Sequence, residues 1–171
     1  MRHLLLAILV PLVCSAHAQL EGRFAIGFAD TLLFNDSLRY CGYGYDGPAP
    51  LFVQAWFPLE DAPNAPRLTY VQLHERRLPG PLQRVWQELA SRMDSAFIEY
   101  DLRYAFNSDS LIDYAPFTVE QVKDSLMVLP TRAWRAWLRQ DTAHPVIVYH
   151  HGSGGFSDEN VAMAENFASF G

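Results

Sequence analysis

His144–Gly171 reads HPVIVYHHGSGGFSDENVAMAENFASFG, a short apolar run, a glycine turn and a helical repeat following one another directly. Val146 to Tyr149 is β-branched and aromatic behind Pro145, the composition of a strand buried on both faces. In His150-His151-Gly152-Ser153-Gly154-Gly155 the glycines tolerate positive φ, so the backbone can turn sharply and approach a ligand closely. Ser157 is placed to cap a helix, and Asp158 and Glu159 suit the positive end of its dipole. Val161, Ala164, Phe167 and Ala168 then recur at helical spacing. Such a strand, turn and helix N-terminus aim backbone N–H groups at one point, which favours negative charge.

Three chemistries use this arrangement. A nucleotide P-loop needs Lys and then Ser or Thr after its glycines, and Phe156 and Ser157 stand there instead. A dinucleotide fingerprint finds Gly152, Gly154 and Ser157 at its three spacings, but its third position should be Gly or Ala. Its acidic ribose ligand belongs about 20 residues further on. Acyl transfer uses a His-Gly-rich turn after a sheet strand to supply one oxyanion-hole N–H, and no residue here contradicts it.

The stretch resembles the secreted serine hydrolases of the α/β-hydrolase fold, especially the group of platelet-activating-factor acetylhydrolases and dienelactone hydrolases. There a strand of the type PVVLYHHGSGG precedes a helix ending in a Leu-Ala-Ser-x-Gly-like phrase. The matching phrase here is Phe167-Ala168-Ser169-Phe170-Gly171. GRFAIGF from Gly22 is similar to the family's first strand and LFVQAWFP from Leu51 to its second, and Thr131-Arg132-Ala133 is also similar. The resemblance implies an α/β fold: strands one to three of a hydrolase sheet, inserted helices at about 68–138, and helix A, within a partial domain spanning 19–171. It implies that the Ser153 N–H is an oxyanion donor, with His151, Gly152 and Gly154 shaping its loop. One of His150 and His151 would buttress that loop. The substrate would be a small ester or other acyl compound, with no cofactor and no metal.

In that fold the oxyanion loop precedes a Gly-x-Ser-x-Gly nucleophile elbow, and the acid and the catalytic histidine come later. No serine of the 171 residues lies in Gly-x-Ser-x-Gly. Ser153 has His151 at one outer position, and Ser169 has Phe167, with Gly171 read as a helix C-cap. The expectation is an N-terminal fragment of an exported serine hydrolase, inactive alone and holding no catalytic residue of its own. The alternative is an exported binding module whose glycine turn holds an anion or a partner.

At the other end, Met1-Arg2-His3, the apolar run Leu4–Val13 and Ala16-His17-Ala18 predict a signal peptide at 1–18, and hence a periplasmic or extracellular protein. The run is too short to span a bilayer, where about 20 residues are needed, and Pro11 interrupts it. Cleavage near Ala18 is expected rather than lipidation of Cys14, because Val13 is not small. Cys41 would then stand alone, without an internal disulfide. The net charge of −6, with no lysine-arginine cluster, argues against nucleic acid or an anionic membrane as partner. Half the residues are hydrophobic, enough to build a core.

Between the ends, Phe24, Ile26 and Phe28 alternate, as do Leu51, Val53, Ala55 and Phe57, predicting two antiparallel strands. Asn35-Asp36-Ser37 reads as a turn. Gly42, Gly44, Gly47, Pro48 and Pro50 read as a loop, as do Pro58, Pro63 and Pro66. Tyr40, Tyr43 and Tyr45 could stack on a carbohydrate, although packing over the loop is the simpler account. Gly80 and Pro81 open a helix with Leu82, Val85, Trp86, Leu89, Met93 and Phe97 on one face. Thr118 and Gln121 form a capping box for another. Thr131 is read as the cap of a third, carrying Arg132, Arg135 and Arg139 on a solvated face. His150 and His151 point to opposite faces of a strand, so they do not share a metal easily, and no His-Glu-x-x-His occurs.

Overall fold

The computed structural model describes residues 22–108, 116–137, 143–150 and 160–171. The alternation at Phe24, Ile26 and Phe28 becomes strand β1 (Ala25–Gly42), and that at Leu51 to Phe57 becomes β2 (Tyr45–Leu59). Both are longer than the sequence suggests. Asn35–Ser37 is not a turn but part of β1, with the Ser37 N–H donating to Asn35 Oδ1 at 3.0 Å. Gly47, Pro48 and Pro50 lie within β2. Only Tyr43 and Gly44 remain as connection, with φ of 52° and 80°. Two consecutive positive φ values make a type I′ turn, whose twist matches that of the antiparallel strands it joins.

A third strand, β3 (Ala133–Arg135), completes a sheet of order β2-β1-β3. It runs parallel to β1, with Ile26 opposite Ala133, Gly27 opposite Trp134 and Phe28 opposite Arg135. This corrects two expectations. The third strand lies within the span expected to be helical, and Thr131 does not cap a helix. Its N–H and its hydroxyl both donate to the Leu68 carbonyl, at 2.7 and 2.8 Å, and the chain continues extended from there. Val146–Tyr149, expected to be the buried third strand, is assigned to no strand. Val146 and Val148 are 86% and 87% exposed. A strand needs a partner's backbone as well as its own composition.

The helices are α1 (Tyr70–His74), α2 (Pro81–Ala96), a π-helical turn at Phe97–Leu102, α3 (Arg103–Ser108), α4 (Val119–Met127) and α5 (Val161–Phe170). Gly80, at φ 54°, makes the bend that admits Pro81 at the first position of α2. The capping box of α4 forms as predicted: the Gln121 N–H donates to Thr118 Oγ1 at 3.2 Å, and the Thr118 N–H donates to Gln121 Oε1 at 2.9 Å. Thr118→Ala is expected to destabilise by about 1 kcal/mol, read as a lower urea midpoint with an unchanged slope. A smaller change in slope-matched curves would mean that the cap is not needed.

The chain divides into two compact units, and β1 and β2 continue from one into the other. The first unit contains the described residues of Met1–Ala29, Ala55–Ala65 and Arg132–Gly171. Ile26, Phe28, Phe57, Ala133, Val161 and Ala168 are buried in it. A Cβ on Gly27 would lie 2.3 Å from the Phe57 ring, so only glycine lets that ring close onto β1. Helix α5 is fastened by polar contacts: the Phe24 N–H donates to the Ser169 carbonyl at 3.0 Å, and the Arg132 N–H donates to the buried Glu165 carboxylate at 2.8 Å.

The second unit contains Asp30–Gln54 and the described residues of Pro66–Thr131. Leu68, Leu73, Leu82, Val85, Trp86 and Leu102 form its core. The hairpin reaches that core through Phe52, whose ring lies 5.0 Å from that of Trp86, and through Gln54, whose amide donates to the Leu73 carbonyl. Arg76 is buried with them. Its guanidinium lies 4.4 Å from the Trp86 ring and 5.6 Å from the Phe52 ring, and it is ion-paired to Asp30 at 3.2 Å. The described residues are thus a mixed α/β structure with a three-stranded mixed sheet.

Candidate functional site

The residues predicted to form the oxyanion loop, His151, Gly152, Ser153 and Gly154, lie outside the described residues, as does the expected helix cap Ser157. The segments on either side are described. Residues 143–150 are exposed and outside any helix or strand, and α5 begins at Val161 after Asn160. Tyr149 and Asn160 are hydrogen-bonded, the Asn160 amide donating to the Tyr149 hydroxyl at 2.7 Å. One contact thereby joins the end of the apolar run to the start of the helix. Neither residue stands out in the sequence, because the bond depends on where the chain returns.

His144 packs edge-on against Phe24, with ring centroids 6.2 Å apart, and His150 is exposed. The His74 carbonyl accepts from the Trp86 indole at 2.9 Å, which places His74 in the packing of α1 against α2. No group of three or more His, Cys, Asp or Glu able to hold a metal occurs among the described residues. No helix there is long and apolar enough to cross a membrane.

The expected arginine face does not form. The Arg132 backbone is held by Glu165, the Arg135 guanidinium lies 5.4 Å from the Phe28 ring, and Arg139 lies outside the described residues. A three-residue strand separates these side chains where a helix would have aligned them.

The tyrosines of the hairpin separate into two roles. Tyr43, at the turn, accepts a hydrogen bond from Arg92 of α2 and so ties the tip to that helix. Tyr40 and Tyr45 are neighbours across the strands, with ring centroids 6.4 Å apart and 30° between their planes. Arg39 makes a bidentate contact with Asp46 at 2.7 and 2.8 Å. Those hydrogen bonds hold the Asp46 carboxyl below the usual carboxylate range and raise the Arg39 guanidinium further. Cys41, beside them, is exposed and unbridged.

Comparisons with protein-family models, with curated protein sequences and with solved structures yield no match.

Proposed function

We propose that this chain is exported and supplies the oxyanion-loop portion of a serine-type α/β-hydrolase acting on small esters or related acyl compounds. The phrase His151-Gly152-Ser153-Gly154-Gly155 carries the reading. The mixed α/β content and the Tyr149–Asn160 bond on either side of that phrase support it. In the reaction, a serine outside these 171 residues attacks the substrate carbonyl, activated by a histidine and an acid also outside them. The Ser153 N–H and the N–H following that serine receive the oxyanion. Each such donor contributes about 100- to 1000-fold in rate, which is far short of replacing the nucleophile and base.

Two measurements test this. The purified 171-residue chain should release p-nitrophenol from p-nitrophenyl acetate no faster than buffer. Turnover abolished by Ser153→Ala would place the nucleophile within the chain and overturn the assignment. Joined to a continuation of its reading frame carrying Gly-x-Ser-x-Gly, the chain should become an esterase, and Ser153→Pro, which lacks the N–H, should slow it about 100-fold. Full activity in that proline variant would remove Ser153 from the oxyanion hole. If phosphate or acetate shifts the amide resonances of Gly152–Gly155 and no frame supplies the elbow, an exported anion-binding module is the better description.

A further inference from the structure

Tyr40 and Tyr45 are each followed two residues on by a glycine, so Gly42 and Gly47 lie on the same face of the hairpin as the rings. A Cβ on Gly42 would sit 2.8 Å from the Tyr40 Oη and 3.1 Å from its Cζ. One on Gly47 would sit 2.7 Å from the Tyr45 Oη and 3.0 Å from its Cζ. Each ring therefore lies flat along its own strand, over backbone that carries no side chain. Tyr45 is fixed there by its hydroxyl, which donates to the Pro48 carbonyl at 2.7 Å. The separation of 6.4 Å at 30° is that of two rings side by side rather than stacked. Both tyrosines are half-buried, on one face of the hairpin. Leu38, 59% exposed, extends the same face.

We propose that this platform binds an uncharged polysaccharide, with successive pyranose rings laid on Tyr40 and Tyr45. A pyranose with equatorial hydroxyls presents a flat face of axial C–H bonds. Their partial positive charge complements the negative face of an aromatic ring. The charge pattern selects a neutral ligand. Arg39 and Asp46 neighbour the two tyrosines in sequence, so they point to the opposite face, where they neutralise each other. The chain as a whole is acidic, which disfavours a phosphate backbone. Size disfavours a second copy: a stable protein interface buries about 800 Å² per partner, far more than two rings and their aliphatic border on a two-stranded ribbon. The site belongs to the second unit and does not depend on the glycine turn at residues 152–155.

The test is affinity electrophoresis of the whole chain in gels containing hydroxyethylcellulose, xylan or laminarin. At least one should retard it. Tyr40→Ala and Tyr45→Ala should each weaken retardation roughly 2- to 10-fold, and the double variant should abolish it. Tyr40→Phe should bind like the parent, because the ring face carries the contact. Gly47→Ala keeps both tyrosines but lifts the Tyr45 ring, and should weaken binding while thermal unfolding shows the chain folded; this variant decides the matter if the alanine double variant fails to fold. Absence of retardation in all three gels would overturn the proposal, as would retardation that survives loss of both rings. A tyrosine-dependent dimer in light scattering, or tyrosine-dependent binding of labelled oligodeoxythymidine, would assign the face to another partner and overturn it equally.

Discussion

Phe28→Ala is expected to cost about 3–5 kcal/mol, a large part of the roughly 5–15 kcal/mol that stabilises a domain of this size. Phe28 is fully buried at 0% exposure, on the stretch of β1 paired with β3. Its ring meets Trp56 edge-on at a centroid distance of 5.1 Å and is overlaid by the Arg135 guanidinium. Truncation removes the ring's transfer free energy and leaves a void beneath Trp56 and Arg135, because a short paired strand cannot collapse to fill it. Phe28→Leu, which retains most of the volume, should cost only about 1–1.5 kcal/mol. Urea unfolding followed by tryptophan fluorescence reads both. A loss below about 1 kcal/mol for the alanine variant would show that the core of the first unit lies elsewhere.

Arg76→Ala is expected to be comparably damaging, for a different reason. The Arg76 side chain is 4% exposed and that of Asp30 17%, so little water reaches the pair. Removing the arginine leaves the carboxylate without its ionic partner and empties the slot beside Trp86 and Phe52. Breaking such a pair from one side costs about 3–5 kcal/mol, whereas replacing both partners with uncharged groups of similar volume is often nearly neutral. Arg76→Met should therefore be strongly destabilising alone, and much less so combined with Asp30→Asn. Arg76→Lys should not rescue, since an ammonium lacks the planar face that lies over the indole. A double variant as unstable as the sum of its parts would show that the two residues do not act together.

What was legible in the sequence follows how local each signal is. Gly80-Pro81 with its apolar repeat, the Thr118–Gln121 box and the repeat beginning at Val161 describe helices, and helices form there. Their hydrogen bonds close within a turn, so a short window contains the evidence. The strands were legible only where one face is buried. β1 continues through Asn35-Asp36-Ser37 and β2 through Gly47-Pro48, because the outer ribbon is solvent-facing and its pairing is fixed by the turn at Tyr43-Gly44 rather than by composition. Ala133–Arg135 is extended because Ile26–Phe28, more than a hundred positions away, pairs with it, and no local pattern reports that. The failure at Val146–Tyr149 is the converse, a run with every compositional mark of a strand and no ladder. Of the candidate site, the sequence shows the motif and the structure its two flanks. The Tyr149–Asn160 bond across them had no signal at all.

That unladdered run has a consequence for how the molecule behaves in a crowded solution. Val146, Ile147 and Val148 are exposed, uncharged and β-branched, and belong to no strand of the described structure. Identical segments from neighbouring molecules can stack in register, each satisfying the next one's backbone and interdigitating the same side chains. Self-templated stacking of this kind rises with concentration and does not require the rest of the fold to open. Ile147→Lys, which puts a charge in the middle of that run, is expected to raise the concentration at which the protein stays dispersed, read as lower light scattering.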